Sequence, residues 1–309
     1  MLEPILVTGC CGFIGYHLVK KLTGEIIGID NMNDYYDVAL KRSRLEELQK
    51  LSNFQFYEAD ILDNEFLNAT FKVYKPKIVI NLAAQPGIRC DNSESYIKNN
   101  ILGFCNILEC CKKYNVEHLI YASSSSVYGN NSNNEKNLTN PQSLYAATKC
   151  CNEMLAQTYD FNTTGLRFFT VYGENGRPDM FVYKLIKNAL NNEPIELYGN
   201  GELKRDFTYI DDIVDGIIKA CDIDKNKKHR IYNLGSSNST SINKVVDIVE
   251  DILNIQIKRI YKPKPKEDVD YTCADIERAY KELNWKPLTD LRTGLCKFIK
   301  WMCPTILVQ

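Results

Sequence analysis

Short runs of aliphatic and β-branched residues recur along the chain, with helical stretches between them: residues 5–8, 26–30, 54–58, 78–82, 118–123, 164–169 and 230–234. A run that is apolar at consecutive positions and closed by a polar residue predicts a parallel strand buried on both faces. Strand, helix and strand in alternation predict the α/β class, with a doubly wound parallel sheet. In such sheets ligands bind beyond the carboxyl ends of the strands, so the residues just after each strand are the functional candidates.

Two stretches break the alternation, residues 174–206 and those after about 255, the latter including the Lys-Pro-rich segment 261–266. Because the strand at 230–234 falls between them, they predict a smaller lobe that is discontinuous in sequence. The expected division is 1–173 with 207–254 for one domain and 174–206 with 255–309 for the other. Residues 130–142, rich in Asn and Ser, read as a mobile loop, either covering a site or making an exposed connection.

A length of 309 residues with 44% hydrophobic content suits about two folded domains. Lys and Arg number 38 against 39 Asp and Glu, so no basic field favours nucleic acid or an anionic membrane. The longest apolar runs fall far short of the ~18 residues that span a bilayer. The opening MLEPILVTG lacks the basic then apolar order of a secretory signal, so the expectation is a cytoplasmic protein that starts directly on its fold. Of twelve cysteines, six form adjacent pairs and none shows CxxC spacing, which predicts reduced thiols and no metal site.

Gly9-Cys-Cys-Gly12-Phe13-Ile14-Gly15 follows the first predicted strand and opens the first helix. Glycines there permit a tight turn, bring backbone close to a pyrophosphate and aim free N–H groups of the helix at it. The spacing is GxxGxxG, and a purely structural turn is the competing reading. Asp30 ends the second strand 21 residues after Gly9, where a carboxylate accepts ribose hydroxyls and repels a 2′-phosphate, favouring NAD over NADP. Asn31 adjoins it. Asp60-Ile61 after the third strand, and Leu82-Ala83-Ala84 after the fourth, fall where adenine and ribose would lie, or else simply end strands.

Tyr145 and Lys149 stand at i and i+4 of a predicted helix, so the ammonium shares a face with the phenol and would lower its pKa for use as a general base. Tyr16/Lys20 and Tyr183/Lys187 have the same spacing. Only Tyr145 follows the fifth strand at the edge of the sheet where a nicotinamide would lie. Ser124 at that strand's end either bonds the same substrate hydroxyl or caps the strand. The three histidines lie outside every motif, which leaves a Ser-His-Asp hydrolase without a base, and no Walker-type loop is present.

Further motifs carry a resemblance: Asp30-Asn-Met-Asn-Asp-Tyr-Tyr-Asp37, Ala83-Ala-Gln-Pro-Gly-Ile-Arg89, Ser123-Ser-Ser-Ser-Val-Tyr-Gly129, and Leu166-Arg-Phe-Phe-Thr-Val-Tyr-Gly173 followed by Gly176-Arg-Pro-Asp-Met180. Over nearly its whole length the chain resembles the extended short-chain dehydrogenase/reductases that act on nucleotide sugars. The resemblance implies a Rossmann-type domain, tightly bound NAD, a UDP-sugar substrate and epimerisation at C4, with UDP-glucuronate the closest match. It places Ser125, Ser126, Thr170 and Arg177 around the sugar's C6 carboxylate, Arg205 on the diphosphate, Asn200 near the uridine, and Arg89 and Asp268 in the same substrate site. Three hydroxyl donors and a guanidinium suit an anion; Arg177 as a structural surface residue is the alternative. Glu174-Asn175 and Lys266-Glu-Asp-Val269 depart from the family's usual Pro-Trp and Pro-Gly-Asp-Val.

Relatives that eliminate or decarboxylate carry a carboxylate in the pair after Ser124, whereas this chain has Ser125 and Ser126, so return of the hydride is expected after oxidation at C4. The competing readings are a UDP-glucose/UDP-galactose epimerase, a decarboxylase or 4,6-dehydratase, and a non-catalytic NAD-binding sensor. Residues 97–111 and 145–159 are apolar on more than one face, and with the resemblance they imply a homodimer through a four-helix interface.

Overall fold

The computed structural model describes residues 4–88, 92–131, 133–222 and 228–305. Strands β1 (Ile5–Thr8), β2 (Ile26–Asp30), β3 (Phe54–Glu58), β4 (Ile78–Asn81), β5 (His118–Ser124) and β6 (Asn162–Phe168) alternate with helices α1 (Phe13–Lys21), α2 (Val38–Leu48), α3 (Asn64–Tyr74), α4 (Ser93–Tyr96), α5 (Gly103–Lys113) and α6 (Leu144–Gln157). The chain continues through β7 (Thr170–Tyr172), α7 (Phe181–Leu190), β8 (Ile195–Tyr198), β9 (Lys204–Tyr209), α8 (Ile210–Cys221), β10 (His229–Leu234), β11 (Ser239–Ser241), α9 (Ile242–Leu253), β12 (Arg259–Lys262), α10 (Glu277–Leu283) and α11 (Leu291–Met302).

Seven strands form one sheet in the order β10-β6-β5-β4-β1-β2-β3, every neighbour parallel. Strand order reverses between β1 and β4, and the ends of these strands open the crevice in which such sheets bind ligands. Side chains alternate across the sheet: Leu6, Val79 and Leu119 pack toward α3 and α5, while Val7, Ile80 and Ile120 pack toward α1 and α8. All seven predicted strands are present. β6 and β10 begin earlier than the apolar pattern indicates, because Thr163 and His229 satisfy each other there through a 2.8 Å Oγ1–Nδ1 hydrogen bond.

Segments 174–206 and 255–309 meet where β12 pairs in parallel with β8. A third sheet, β11-β9-β7, pairs β9 antiparallel with β11 and parallel with β7. Between α4 and α5 the helix widens into a π-helical turn over Ile97–Leu102. Among the described residues no helix is long and apolar enough to cross a membrane.

The stretch 130–142, expected to be mobile, is anchored at several points. Asn133 is buried, its carbonyl accepts the Asp275 N–H, Glu135 accepts the Asn233 N–H, and the Asn140 N–H returns to the Val127 carbonyl. Polar composition here serves hydrogen bonds to β10 and to the segment before α10, which hydropathy alone does not register.

Candidate active site

Local rules explain how each element reaches the site. α3, α6 and α11 begin on Asp63, Ser143 and Asp290, whose side chains accept backbone N–H groups of the first turn. α1 begins at Gly12 with no side-chain cap and no acidic residue in its first turn. Its unpaired N–H groups are left for an anion. They border a cavity of about 1120 Å³ at the carboxyl end of the main sheet.

Gly9, at φ +70°, lies so close to the neighbouring chain that a Cβ would sit 2.8 Å from the Ala83 nitrogen; at Gly15 it would sit 2.2 Å from the Gly9 carbonyl oxygen. Only backbone fits, and this close-packed turn is what a pyrophosphate cradle requires. Asp30 is buried, and its two carboxylate oxygens accept the Cys11 N–H at 3.0 Å and the Met32 N–H at 2.9 Å. Each oxygen keeps a lone pair for a ribose hydroxyl. Asn31 Nδ2 donates to Asp60 at 2.8 Å, so the ends of β2 and β3 are tied together. Gly12, Phe13, Ile14, Ile61, Leu82, Ala83 and Ala84 complete this wall of the cavity, and the donor set fits a dinucleotide.

Ser124 ends β5 and accepts hydrogen bonds from the backbone and hydroxyl of Ser126, at 3.2 and 2.9 Å. Its own proton can turn toward the neighbouring Tyr145 phenol, whose ionised form it stabilises. Lys149 is buried, donates to the Ala122 carbonyl at 2.9 Å and stands 5.7 Å from the centre of the Tyr145 ring. Burial lowers its pKa to about 8, opposed by Glu153. Burial likewise pushes the Tyr145 phenol up, and the groups that pull it back are the Arg177 guanidinium first and then the Ser124 hydroxyl.

Ser125, Ser126, Thr170, Arg177, Arg205 and Asp268 all line the cavity, drawn from the end of β5, β7, the segment before α7, β9 and the segment before α10. Arg177 is engaged already: its Nε donates to Asp179 at 3.0 Å, its Nη2 reaches the other oxygen of that carboxylate, and its guanidinium lies 5.6 Å from the Tyr35 ring. Asn200 does not line the cavity. It is exposed in a left-handed turn at φ 55°, and its carbonyl is held by Asn243. Arg89 lies outside the described residues.

Several contributors escape sequence reasoning. Arg44, buried on α2, donates to the carbonyls of Cys11 and Asn175 and to the Tyr36 hydroxyl, joining the glycine loop to the segment after β7. Glu174, where the family usually has Pro, accepts the Tyr209 hydroxyl, and its carbonyl pairs with His17 on α1. Asn100, brought inward by the π-turn, bonds both backbone polar groups of Gln85, donates also to Thr148 on α6, and accepts Asn152 on its carbonyl. Single polar residues at helical spacing carry no signal that separates them from a solvated face.

A glycine-loop dinucleotide cradle on a doubly wound sheet, with Ser124, Tyr145 and Lys149 gathered at its edge, defines a nicotinamide-dependent class of protein. Residues 5–235 match the NAD dependent epimerase/dehydratase family, and the chain belongs to it. UDP-glucuronate 4-epimerase 6 of Arabidopsis thaliana is 43% identical over 96% of this chain and 71% of its own length, and UDP-glucuronate 4-epimerase of Thermodesulfobacterium geofontis is 41% identical over 96% and 95%. The crystal structure of UDP-glucuronic acid 4-epimerase from Bacillus cereus, in complex with UDP-glucuronic acid and NAD, superimposes with a TM-score of 0.93 at 32% identity, covering 98% of this chain and all of that one.

Proposed function

We propose that this protein is an NAD-dependent UDP-sugar 4-epimerase that interconverts UDP-glucuronate and UDP-galacturonate. The observation that carries the reading is a wall of three hydroxyls and a guanidinium (Ser125, Ser126, Thr170, Arg177) beside Tyr145, with no carboxylate in the pair after Ser124. NAD, held by the glycine loop, Asp30 and Lys149, supplies a reversible hydride acceptor facing C4. Tyr145, as phenolate, takes the C4 hydroxyl proton and later returns it; Ser124 orients that hydroxyl, and the Lys149 ammonium balances the charge. Arg205 holds the diphosphate while the sugar turns over, and Asp268 contributes to the same wall.

The oxidised sugar is a β-keto acid, which loses CO₂ when its C5–C6 bond stands perpendicular to the carbonyl plane. Gripping the carboxylate therefore guards the intermediate as well as recognising the substrate. With no acid or base at 125 and 126, elimination lacks the proton carrier that eliminating relatives place in that pair.

Asp179 favours a second reading, because a guanidinium already countered by a carboxylate is compatible with the neutral CH₂OH of UDP-glucose. An NMR time course with UDP-glucuronate and, separately, UDP-glucose tests both. UDP-galacturonate supports the proposal, UDP-galactose alone supports the second reading, UDP-xylose indicates a decarboxylase, and no product from either indicates a binding protein.

We assign residues 1–173 and 207–254 to the cofactor domain and 174–206 and 255–309 to the sugar lobe. A homodimer is supported by Ile97, Leu102 and Met154, which are 50, 53 and 70% exposed on the helices 93–113 and 144–157; a monomeric mass in light scattering would contradict it. Eleven unpaired cysteines among the described residues suit a reducing compartment, the cytoplasm.

A further inference from the structure

We propose that Glu153 is a positioning residue, which sets the spacing between Tyr145 and Ser124 by clamping α6 to the end of β5. The inference rests on the functional reading above for what that spacing is used for. Tyr145, Lys149 and Glu153 follow one another at four-residue intervals, along one face of α6. Lys149 donates to the carbonyl of Ala122, and Glu153 Oε1 accepts the hydroxyl of Ser123 at 2.5 Å. Two turns of the helix thus grip two successive residues of the strand, and the next residue along the strand is Ser124.

The grip has a rigid backing. Arg167, the register partner of Ser123 on β6, donates to Glu153 through Nε at 2.8 Å and through Nη2 at 2.7 Å. The two side chains are 5 and 10% exposed. Behind them the Tyr128 ring centre lies 4.6 Å from the guanidinium, and the Tyr128 hydroxyl donates to Asn233 on β10. A helix packed on a sheet needs apolar contact only, and a buried ion pair is a costly way to obtain it. What the pair adds is direction: two planar groups in a forked pairing admit one orientation of α6 about its axis. Rotation or sliding of the helix would move the Tyr145 hydroxyl directly, and proton transfer is sensitive to such displacements.

Two variants test the clamp. Ser123→Ala cuts the tie to β5 and leaves the ion pair whole; Glu153→Leu with Arg167→Met removes both members of the pair together, and with them the support that Glu153 gives the Lys149 ammonium. Each is assayed for NAD and UDP-glucuronate binding, for kcat, and for the ionisation of Tyr145 by ultraviolet difference titration against Tyr145→Phe in the same background. The expected result is a kcat lowered about tenfold to a hundredfold with KM little changed, and a Tyr145 ionisation moved to higher pH, since the phenol stays buried while the Ser124 hydroxyl that favours its ionised form is displaced. Wild-type kcat and an unmoved phenol in folded Ser123→Ala overturn the proposal, as does a loss confined to KM. If the unmodified protein turns over neither UDP-sugar, the functional reading fails, and the titration, which needs no turnover, still decides the clamp.

Discussion

The two halves of the cavity are held by different kinds of contact. On the dinucleotide side, the wall is largely backbone: a turn so close-packed that Cβ atoms are excluded at Gly9 and Gly15, uncapped helix N–H groups, and one buried carboxylate fixed by two amides. On the sugar side, the wall is side chain, supplied by segments far apart in sequence, with pairs such as Arg177–Asp179 bracing a single segment. A backbone wall recognises what every dinucleotide shares, whereas a side-chain wall can be revised one residue at a time. Cofactor identity and substrate identity are thus written in separable parts of one site.

The sharpest test of this separation lies at the seam. Tyr145→Phe removes the base and nothing else from either wall, so kcat should fall by about 10²–10⁴-fold while both ligands bind almost normally; single-turnover rates alongside binding isotherms measure this. Gly15→Ala strikes the backbone wall, where the added Cβ would meet the Gly9 carbonyl at 2.2 Å. NAD affinity should collapse in calorimetric titration. Retained affinity would mean that the loop is not a cradle.

Arg177→Ala strikes the side-chain wall, and a lost charge-assisted contact of about 2–3 kcal/mol should lower kcat/KM for UDP-glucuronate but not for UDP-glucose. An equal fall for both sugars would show that no carboxylate is read there. A smaller effect tests a tie between the halves, His17 on α1 against the Glu174 carbonyl. Burial lowers the His17 pKa from 6.5 to about 4. Between those values the unfolded chain takes up a proton that the native state refuses, so unfolding free energy decreases as pH falls from about 6.5 to 4. His17→Asn should flatten that part of the profile when melting temperatures are compared across the range.

The same division governs what could be read from the sequence. Backbone-built features leave contiguous traces: the loop from Gly9 to Gly15, Asp30 at a strand end, and seven strands whose apolar runs mark their positions to within a residue or two. Tyr145 was separated from its two look-alikes by strand order alone. The sugar wall was legible only through resemblance, since its residues share no periodicity and meet only through the fold. Asn200 shows the limit, for a glycine-flanked asparagine near a binding lobe sits in an exposed left-handed turn, between cavity-lining Tyr198 and Leu203 but not itself among the lining residues. Arg44, Glu153 and Asn100 were invisible because a buried polar residue is recognised by its partners, and Cys11, Ser123 and Thr148 lie 33, 30 and 48 residues away from them.

The widened turn at Ile97–Leu102 has a bearing on which changes the chain can absorb. A π-turn amounts to one surplus residue in a helix. Deleting one residue there would close the turn to regular winding and leave Phe104, Ile107 and Leu108 facing the core, but would draw Asn100 off Gln85 and Thr148. Exposed Ile97 and Leu102 can be exchanged for other side chains without disturbing that contact. The surplus residue therefore serves placement and not packing, so a single-codon deletion there should leave the helix folded and loosen the loop after β4 from α6.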